Sequence, residues 1–484
     1  MNKLKLRGKD LRNIGFPESP AISVAMEVMH KHYKYTSFED AMVLLQKVLA
    51  NPESYLDDEF LGKIAAALIE KEERDQKQIT LIETGVPYNV FGRDHIEEGA
   101  LKQMSVAAKL PVTVAGALMP DAHHGYGLPI GGVLATDNAV IPYGVGVDIG
   151  CRMCLSIFDI DPLDLTKRKS YFEKELNAAT LFGSGATFKT PEDHEVMDRK
   201  EFNELPLLKT LKERAWKQLG SSGSGNHFVE FGIVEIEDNN ELPGVEAGSY
   251  LGLLSHSGSR ALGAGIANHY TRVAKEKRKL PAEAANLAWL DLNEEEGMEY
   301  WIAMNLAGDY ASACHHVIHA KIARQLGRTS VKMVENHHNF AWKELYEGKE
   351  VIVHRKGATP AGKGVLGIIP GSMTADGFIV KGKGEAASLS SASHGAGRKM
   401  SRTMALSSVT RDALKAVLKE YGVTLLGGGL DEAPFAYKDI AEVMKSQKQL
   451  VDVVGKFTPK IVKMCGDLPR QWGKKPRFDS NQDL

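Results

Sequence analysis

The spacing of hydrophobic positions changes at about residue 86, and the elements it predicts change with it. Before that point apolar residues recur at helical intervals. Ser37 and Asp40 form a capping box ahead of AMVLLQKVLA, and Phe60, Leu61, Ile64, Ala65, Leu68 and Ile69 line one face of a further helix. That helix runs into EKEERDQK, which reads as a solvated end. Residues 1–85 are thus expected to be a helical N-terminal extension without chemistry of its own. From Pro87 onward, short apolar runs punctuated by glycine (GGVLA, AVIPYGVGVDIG, VIV, LGIIPGSM, FIV) predict strands. Helices are predicted over roughly 205–219, 261–278, 293–326, 409–420 and 437–454. Strand and crossover helix do not alternate regularly, so the pattern favours a mixed α+β domain over residues 86–484 rather than a doubly wound sheet.

Composition narrows this picture. With 43% hydrophobic and 25% charged residues in a chain of 484, a large core is available and a disordered chain is excluded. No run of about 18 apolar residues exists to span a membrane, and MNKLKLRGKDLRNIGF lacks the apolar segment of a secretory signal. A cytoplasmic protein is expected. Four scattered cysteines, Cys151, Cys154, Cys314 and Cys465, make no disulfide framework. A formal net charge of -2 rules out a general basic field, so any contact with nucleic acid must be local.

The candidate chemistry lies in histidines set among small residues. SSASHGAGRKMSR places His394 beside Gly395, Ala396 and Gly397, with Arg398 and Arg402 behind it. Close backbone approach and planar guanidinium forks both suit phosphate. Asp148 and Cys151, three apart around Gly150, offer a carboxylate and a thiolate to one cation, and a bridging thiolate can hold two. GSGNHFVE supplies Asn226, His227 and Glu230: a phosphate contact, a metal ligand and an acceptor for a base edge, in that order. HSGSR adds His256 and Arg260, and HHN adds His338 and Asn339. Two rival sites stand beside these. Cys151 and Cys154 form a CxxC, but a structural zinc site needs a second pair. His315 and His319 in ACHHVIH stand at i, i+4 on a predicted helix without the glutamate of a zincin, and read as a helix packed with polar edges.

Together, MPDAHHGYGLPIGGV, GVGVDIGC, GSGNHFVE, HSGSR, HHNFAW, HRKGATPAGKGVLGIIPGSM, SHGAGRKMSR and DEAPFAYKDI resemble the RtcB family of RNA-splicing ligases over nearly all of residues 110–465. The resemblance implies a single catalytic domain over 86–484 that joins RNA ending in a 2',3'-cyclic phosphate or 3'-phosphate to RNA with a 5'-hydroxyl, in tRNA splicing or RNA repair. It implies GTP and two Mn2+ ions as cofactors, with an archease-like activator as a further partner and no membrane. Asp148, Cys151 and His227 then match one metal set, and Cys151, His256 and His338 the other. His394 matches the histidine that becomes guanylylated. Asn226, Phe228, Glu230, Asn339, Ser372, Ala396, Gly397, Tyr437 and Lys463 match nucleotide contacts, with Asn226 also at the catalytic centre, and Arg260 and Arg398 match basic residues that hold RNA or phosphate. Two other functions are compatible with the same residues: a metal-dependent cyclic phosphodiesterase that does not seal, and a non-catalytic RNA-binding protein. The helical extension and the tail beyond Lys463 depart from the family pattern.

Overall fold

The computed structural model describes residues 4–17, 20–76, 78–237 and 242–466, without the side chains of 70–76. The tail beyond 466 and the side chains of EKEERDQK therefore lie outside the described residues. The chain divides into two compact units, Met1–Thr80 and Leu81–Leu484.

The first unit is helical, with Gly8–Asn13, Pro20–His32, Phe38–Ala50 and Gly62–Gln76. The periodic residues meet as anticipated: Leu61, Ile64, Ala65 and Leu68 pack with Leu11, Met29, Leu45 and Val48 in one core. Ser37 caps Phe38–Ala50, its Oγ accepting from the Asp40 amide at 3.1 Å while its hydroxyl donates to the Asp40 carboxylate at 2.7 Å.

The second unit is a mixed α+β fold built on two large sheets. One has the order Tyr88–Val90, Thr113–His123, Ile130–Thr136, Lys349–Lys356, Asn339–Tyr346, antiparallel except for its short first strand. The other runs Leu366–Ile369, Gly377–Gly382, Val451–Met464, Phe228–Ile236, Gly248–Ser257, Arg152–Phe158, Lys332–His337, with Thr424–Leu425 added beside Val451–Met464. Side chains of a strand alternate between faces, so paired residues sort by parity. Met153, Phe228, Leu254 and His256 share one face and line a cavity, whereas Cys154, Ser156 and Ser255 face the long helix Glu295–Leu326. The chain passes from the second sheet to the first at His338, between strands Lys332–His337 and Asn339–Tyr346.

Two predicted elements differ. The helix over 437–454 is only Ile440–Lys445, and from Val451 the chain is the 14-residue strand Val451–Met464. The run LVDVV, rich in β-branched residues, opens this strand in the middle of a sheet, and that packing overrides the helical spacing. AVIPYGVGVDIG is a two-residue strand, Ala139–Val140, followed by the helical turn Pro142–Val145. Pro142 starts that turn because it presets φ and lacks only an N–H that a first turn leaves unused. Among the described residues no helix is long and apolar enough to cross a membrane.

Ser37→Ala is expected to lower the stability of the helical unit by about 1 kcal/mol, read as a lower urea midpoint for its helical signal with the second unit's transition unchanged.

Candidate metal and nucleotide site

The two sheets meet at a cluster of five side chains. Cys151 immediately precedes Arg152–Phe158, His256 lies on the neighbouring strand, and His338 stands at the crossing, its amide donating to the Cys151 carbonyl at 2.9 Å. The turn Gly223–Gly225 brings in His227. Gly223 has φ +97°, and a Cβ there would strike the Arg260 guanidinium and the His227 ring. Asp148 completes the group from the loop before Cys151.

The contacts define where protons are. His227 Nδ1 lies 2.6 Å from the Ser222 carbonyl, which can only accept, so Nδ1 donates there and turns Nε2 toward the cluster. Nε2 faces an Asp148 carboxylate oxygen at 3.0 Å and the Cys151 sulfur at 3.6 Å. His256 Nδ1 likewise donates to the Asn226 carbonyl at 3.1 Å, leaving Nε2 3.2 Å from both Cys151 Sγ and His338 Nε2. Burial holds His256 neutral, pushing it down to about 3, and pushes His338 well below its ordinary value. His338 Nδ1 is buried without a hydrogen-bond partner. Buried imidazole nitrogens and a carboxylate crowded around one thiol are costly unless something satisfies them all. A divalent cation removes the cost, and a thiolate, a carboxylate and three imidazoles are a donor set that fits one or two such ions.

Cys154 does not belong to this set. Three residues on from Cys151 along an extended strand, it faces the opposite side of the sheet, so CxxC is not a chelating pair here.

Beside the cluster, His394 follows the short strand Ser391–Ser393, and its ring centroid lies 4.9 Å from that of His338. Its Nδ1 donates to Asp121 Oδ2 at 2.6 Å, and the same oxygen accepts the His394 amide at 3.2 Å. Burial pushes the Asp121 carboxyl up, but the adjacent imidazole and the Lys438 ammonium outweigh it and hold the group below the usual carboxylate range. Nδ1 is thus committed to Asp121, and Nε2 is the free edge of a ring that lines the cavity. Gly397, at φ +73°, lets the loop lie against the Asp121 carbonyl, where any Cβ would collide. Upstream, Leu389 and Ser390 both adopt left-handed backbone, at φ 53° and 49°. The fully buried Arg355 clamps them, Nη2 donating to the Leu389 carbonyl at 2.8 Å and Nε to Ser391 Oγ at 2.7 Å. Asp121 lies inside MPDAHHG, yet nothing in its spacing marks a partner for a residue 273 positions away.

The cavity has a volume of 510 Å³. Asn226, Phe228, Glu230, His256, Ser372, His394, Ala396, Gly397, Arg398 and Tyr437 line it. Burial pushes the Glu230 carboxyl well above its ordinary range. Arg398 is held over the Tyr437 ring, 5.3 Å from its centroid, with Nη1 donating to buried Glu432 at 3.2 Å. Asn339 sits behind the cluster, accepting from the Gly357 amide at 2.9 Å and donating to the Asp148 carbonyl at 3.4 Å.

Among the expected nucleotide and phosphate contacts, Asn339, Lys463 and Arg260 lie off the cavity wall. Lys463 does not line the cavity. Its neighbours Val462 and Met464 do, so strand parity sends Lys463 to the other face, where Nζ donates to the carbonyls of Asn177 and Thr180, each at 3.3 Å. Arg260 also turns away, donating to Ser221 Oγ at 3.1 Å and the Gly183 carbonyl at 2.7 Å. It braces the two loops behind His227.

The family model described as tRNA-splicing ligase RtcB matches residues 103–464. The chain is 33% identical to the RNA-splicing ligase RtcB of Escherichia coli K12 over 396 residues, covering 74% of this chain and 92% of that protein. It is 30% identical to the tRNA-splicing ligase RtcB of Nanoarchaeum equitans over 452 residues, covering 78% and 95%. The chain belongs to the RtcB family.

Burial, and then the Asp148 charge, push the Cys151 thiol well above its ordinary value, while the imidazoles of His256 and His338 are already neutral. Cation binding must therefore expel the thiol proton. Affinity for Mn2+ is expected to rise about tenfold per pH unit between about pH 6.5 and about pH 8. Calorimetric titration in buffers of different ionisation enthalpy would show about one proton released, and Cys151→Ala would flatten the slope.

Proposed function

We propose that this chain is a GTP-dependent RNA ligase that joins a 2',3'-cyclic phosphate or 3'-phosphate end to a 5'-hydroxyl end, in tRNA splicing or RNA repair. The observation that carries the reading is the pairing of Asp121 with His394. It leaves the free edge of the imidazole in a nucleotide-sized cavity, next to a cluster built for divalent cations. The names of its relatives support the RNA substrate.

In this reading Asp148, Cys151 and His227 would hold one Mn2+, and Cys151, His256 and His338 a second. Such ions supply charge neutralisation at the reacting phosphates. His394 is the nucleophile. Its Nε2 lone pair forms a bond to the GTP α-phosphorus as the bond to pyrophosphate breaks, which divides one hard step into easier ones. Asp121 keeps the Nδ1 proton in place and stabilises the positive charge that the ring gains. The RNA 3'-phosphate oxygen then takes the guanylyl group and releases the imidazole. Finally the 5'-hydroxyl attacks the activated 3'-phosphorus, and GMP leaves. A cyclic phosphate is first opened by water.

Glu230 reads the base, since a purine edge carrying two N–H donors is the partner that would return its buried carboxyl to the charged form. Phe228 and Tyr437 flank the nucleoside, while Asn226, Ser372 and the Ala396–Gly397 backbone contact its phosphates. Asn339 supports the Asp148 loop, and Arg398 holds the RNA phosphate. Arg260 and Lys463 stay outside these contacts, because both direct their donors to groups behind the site. Residues 86–484 form the catalytic domain, and 1–85 are an extension to it. The protein acts in the cytoplasm, and an archease-like partner serves turnover.

Incubation with Mn2+ and α-labelled GTP is expected to label the protein, and His394→Ala to abolish the label. Label persisting in that variant removes the nucleophile assignment; RNA ends opened but never joined favour the phosphodiesterase instead. Asp121→Asn is expected to slow guanylylation on the order of 1,000-fold, because an amide can impose the wrong tautomer. Quench-flow measurement of labelling, with unchanged Mn2+ binding as control, checks this.

A further inference from the structure

The helix Glu295–Leu326 carries two histidines that the chemistry above leaves unused. His315 and His319 lie one turn apart, 0% and 2% exposed. Rather than edging the helix, they press against the back of the sheet, opposite His256. His315 Nε2 is 3.1 Å from the Ser257 carbonyl, and its Nδ1 is 2.6 Å from Ser255 Oγ. The same Oγ is 2.8 Å from His319 Nε2, whose ring reaches Ser156 Oγ through Nδ1 at 2.7 Å.

One carbonyl sets every proton in this chain. The Ser257 carbonyl only accepts, so His315 Nε2 donates, and Nδ1 of the neutral ring is bare. It takes the Ser255 hydroxyl proton. Having given its one proton, Ser255 Oγ accepts from His319 Nε2, and the bare His319 Nδ1 accepts from Ser156. Burial keeps both rings neutral, pushing His319 down to about 3 and His315 well below its ordinary value. Cys154 lies 3.9 Å from His319 Nδ1 and completes a Cys/His/His group of the kind that binds zinc. Here both imidazole lone pairs are already occupied by hydroxyl protons. The group is a hydrogen-bonded network.

The network ends at the metal site. Ser255 and Ser257 flank His256 on the strand. The Ser257 hydroxyl donates to the Ser222 carbonyl at 2.9 Å, the oxygen that also receives His227 Nδ1 at 2.6 Å. We propose that His315, His319 and Ser255 are positioning residues that lock the strand Gly248–Ser257 to the long helix and, through Ser257 and Ser222, hold His227 and His256 with their Nε2 atoms aimed at a divalent cation. This rests on the reading of the five-residue cluster as a metal site. Groups one step removed from a metal typically alter its affinity 10- to 100-fold.

The test is titration of the metal-free, full-length protein with Mn2+, followed by calorimetry and by electron paramagnetic resonance of the free ion. Ser255→Ala and His315→Leu are expected to weaken binding about tenfold or more. His315→Gln, whose amide can still donate to the Ser257 carbonyl, is expected to recover most of it. Ile318→Ala, which loosens the same helix without touching the network, is expected to lower the melting temperature and leave Mn2+ affinity unchanged. If His315→Leu does not fold, Ser255→Ala carries the comparison. Wild-type affinity in Ser255→Ala, or an equal loss in Ile318→Ala, overturns the proposal while the metal site stands. So does a third bound equivalent when Zn2+ is the probe, removed by His319→Ala. Failure of the wild type to bind Mn2+ at all overturns both readings.

Discussion

The convergence of five donor groups on one point is the constraint on which this structure turns. Main-chain carbonyls at Ser222 and Asn226 take the Nδ1 protons of His227 and His256, so their Nε2 atoms converge on Asp148 and Cys151. Such an arrangement fits a divalent cation. The same logic, with a carboxylate replacing a carbonyl, fixes His394 through Asp121. The candidate nucleophile and two of the candidate ligands are thus prepared by one device, an acceptor placed at Nδ1.

Much of the site was legible in the residues because it is written in short, dense runs. Asp148 with Cys151, the pair Asn226–His227, and His256, His338 and His394 each sit in a glycine- or serine-rich stretch, and the structure draws all of them into one region. Asp121 was hidden because an acidic residue inside a strand carries no local sign of its partner. Lys463 and Arg260 point away from the cavity for a related reason. Matching a motif locates a residue along the chain, whereas strand parity and the loops around Gly183 decide where its side chain goes.

The fold followed a similar division. Helical periodicity was sufficient for the N-terminal unit and for the long helix Glu295–Leu326, where local spacing and packing agree. It failed at 437–454, where a β-branched run becomes the middle strand of a sheet whose partners are remote in sequence. His315 and His319 show the limit of spacing most clearly. Zincin-like separation on a helix looks the same whether the rings meet an ion or two serine hydroxyls, and only the opposing strand tells them apart.

The position of His338 has a wider implication. The polypeptide leaves one sheet and enters the other at this residue, so a donor atom rides on the seam itself. Sliding of either layer would change the span between sulfur and imidazole before it disturbed anything else. A change in the surrounding framework would thus register first where His256 Nε2 stands 3.2 Å from both Cys151 Sγ and His338 Nε2 across the junction.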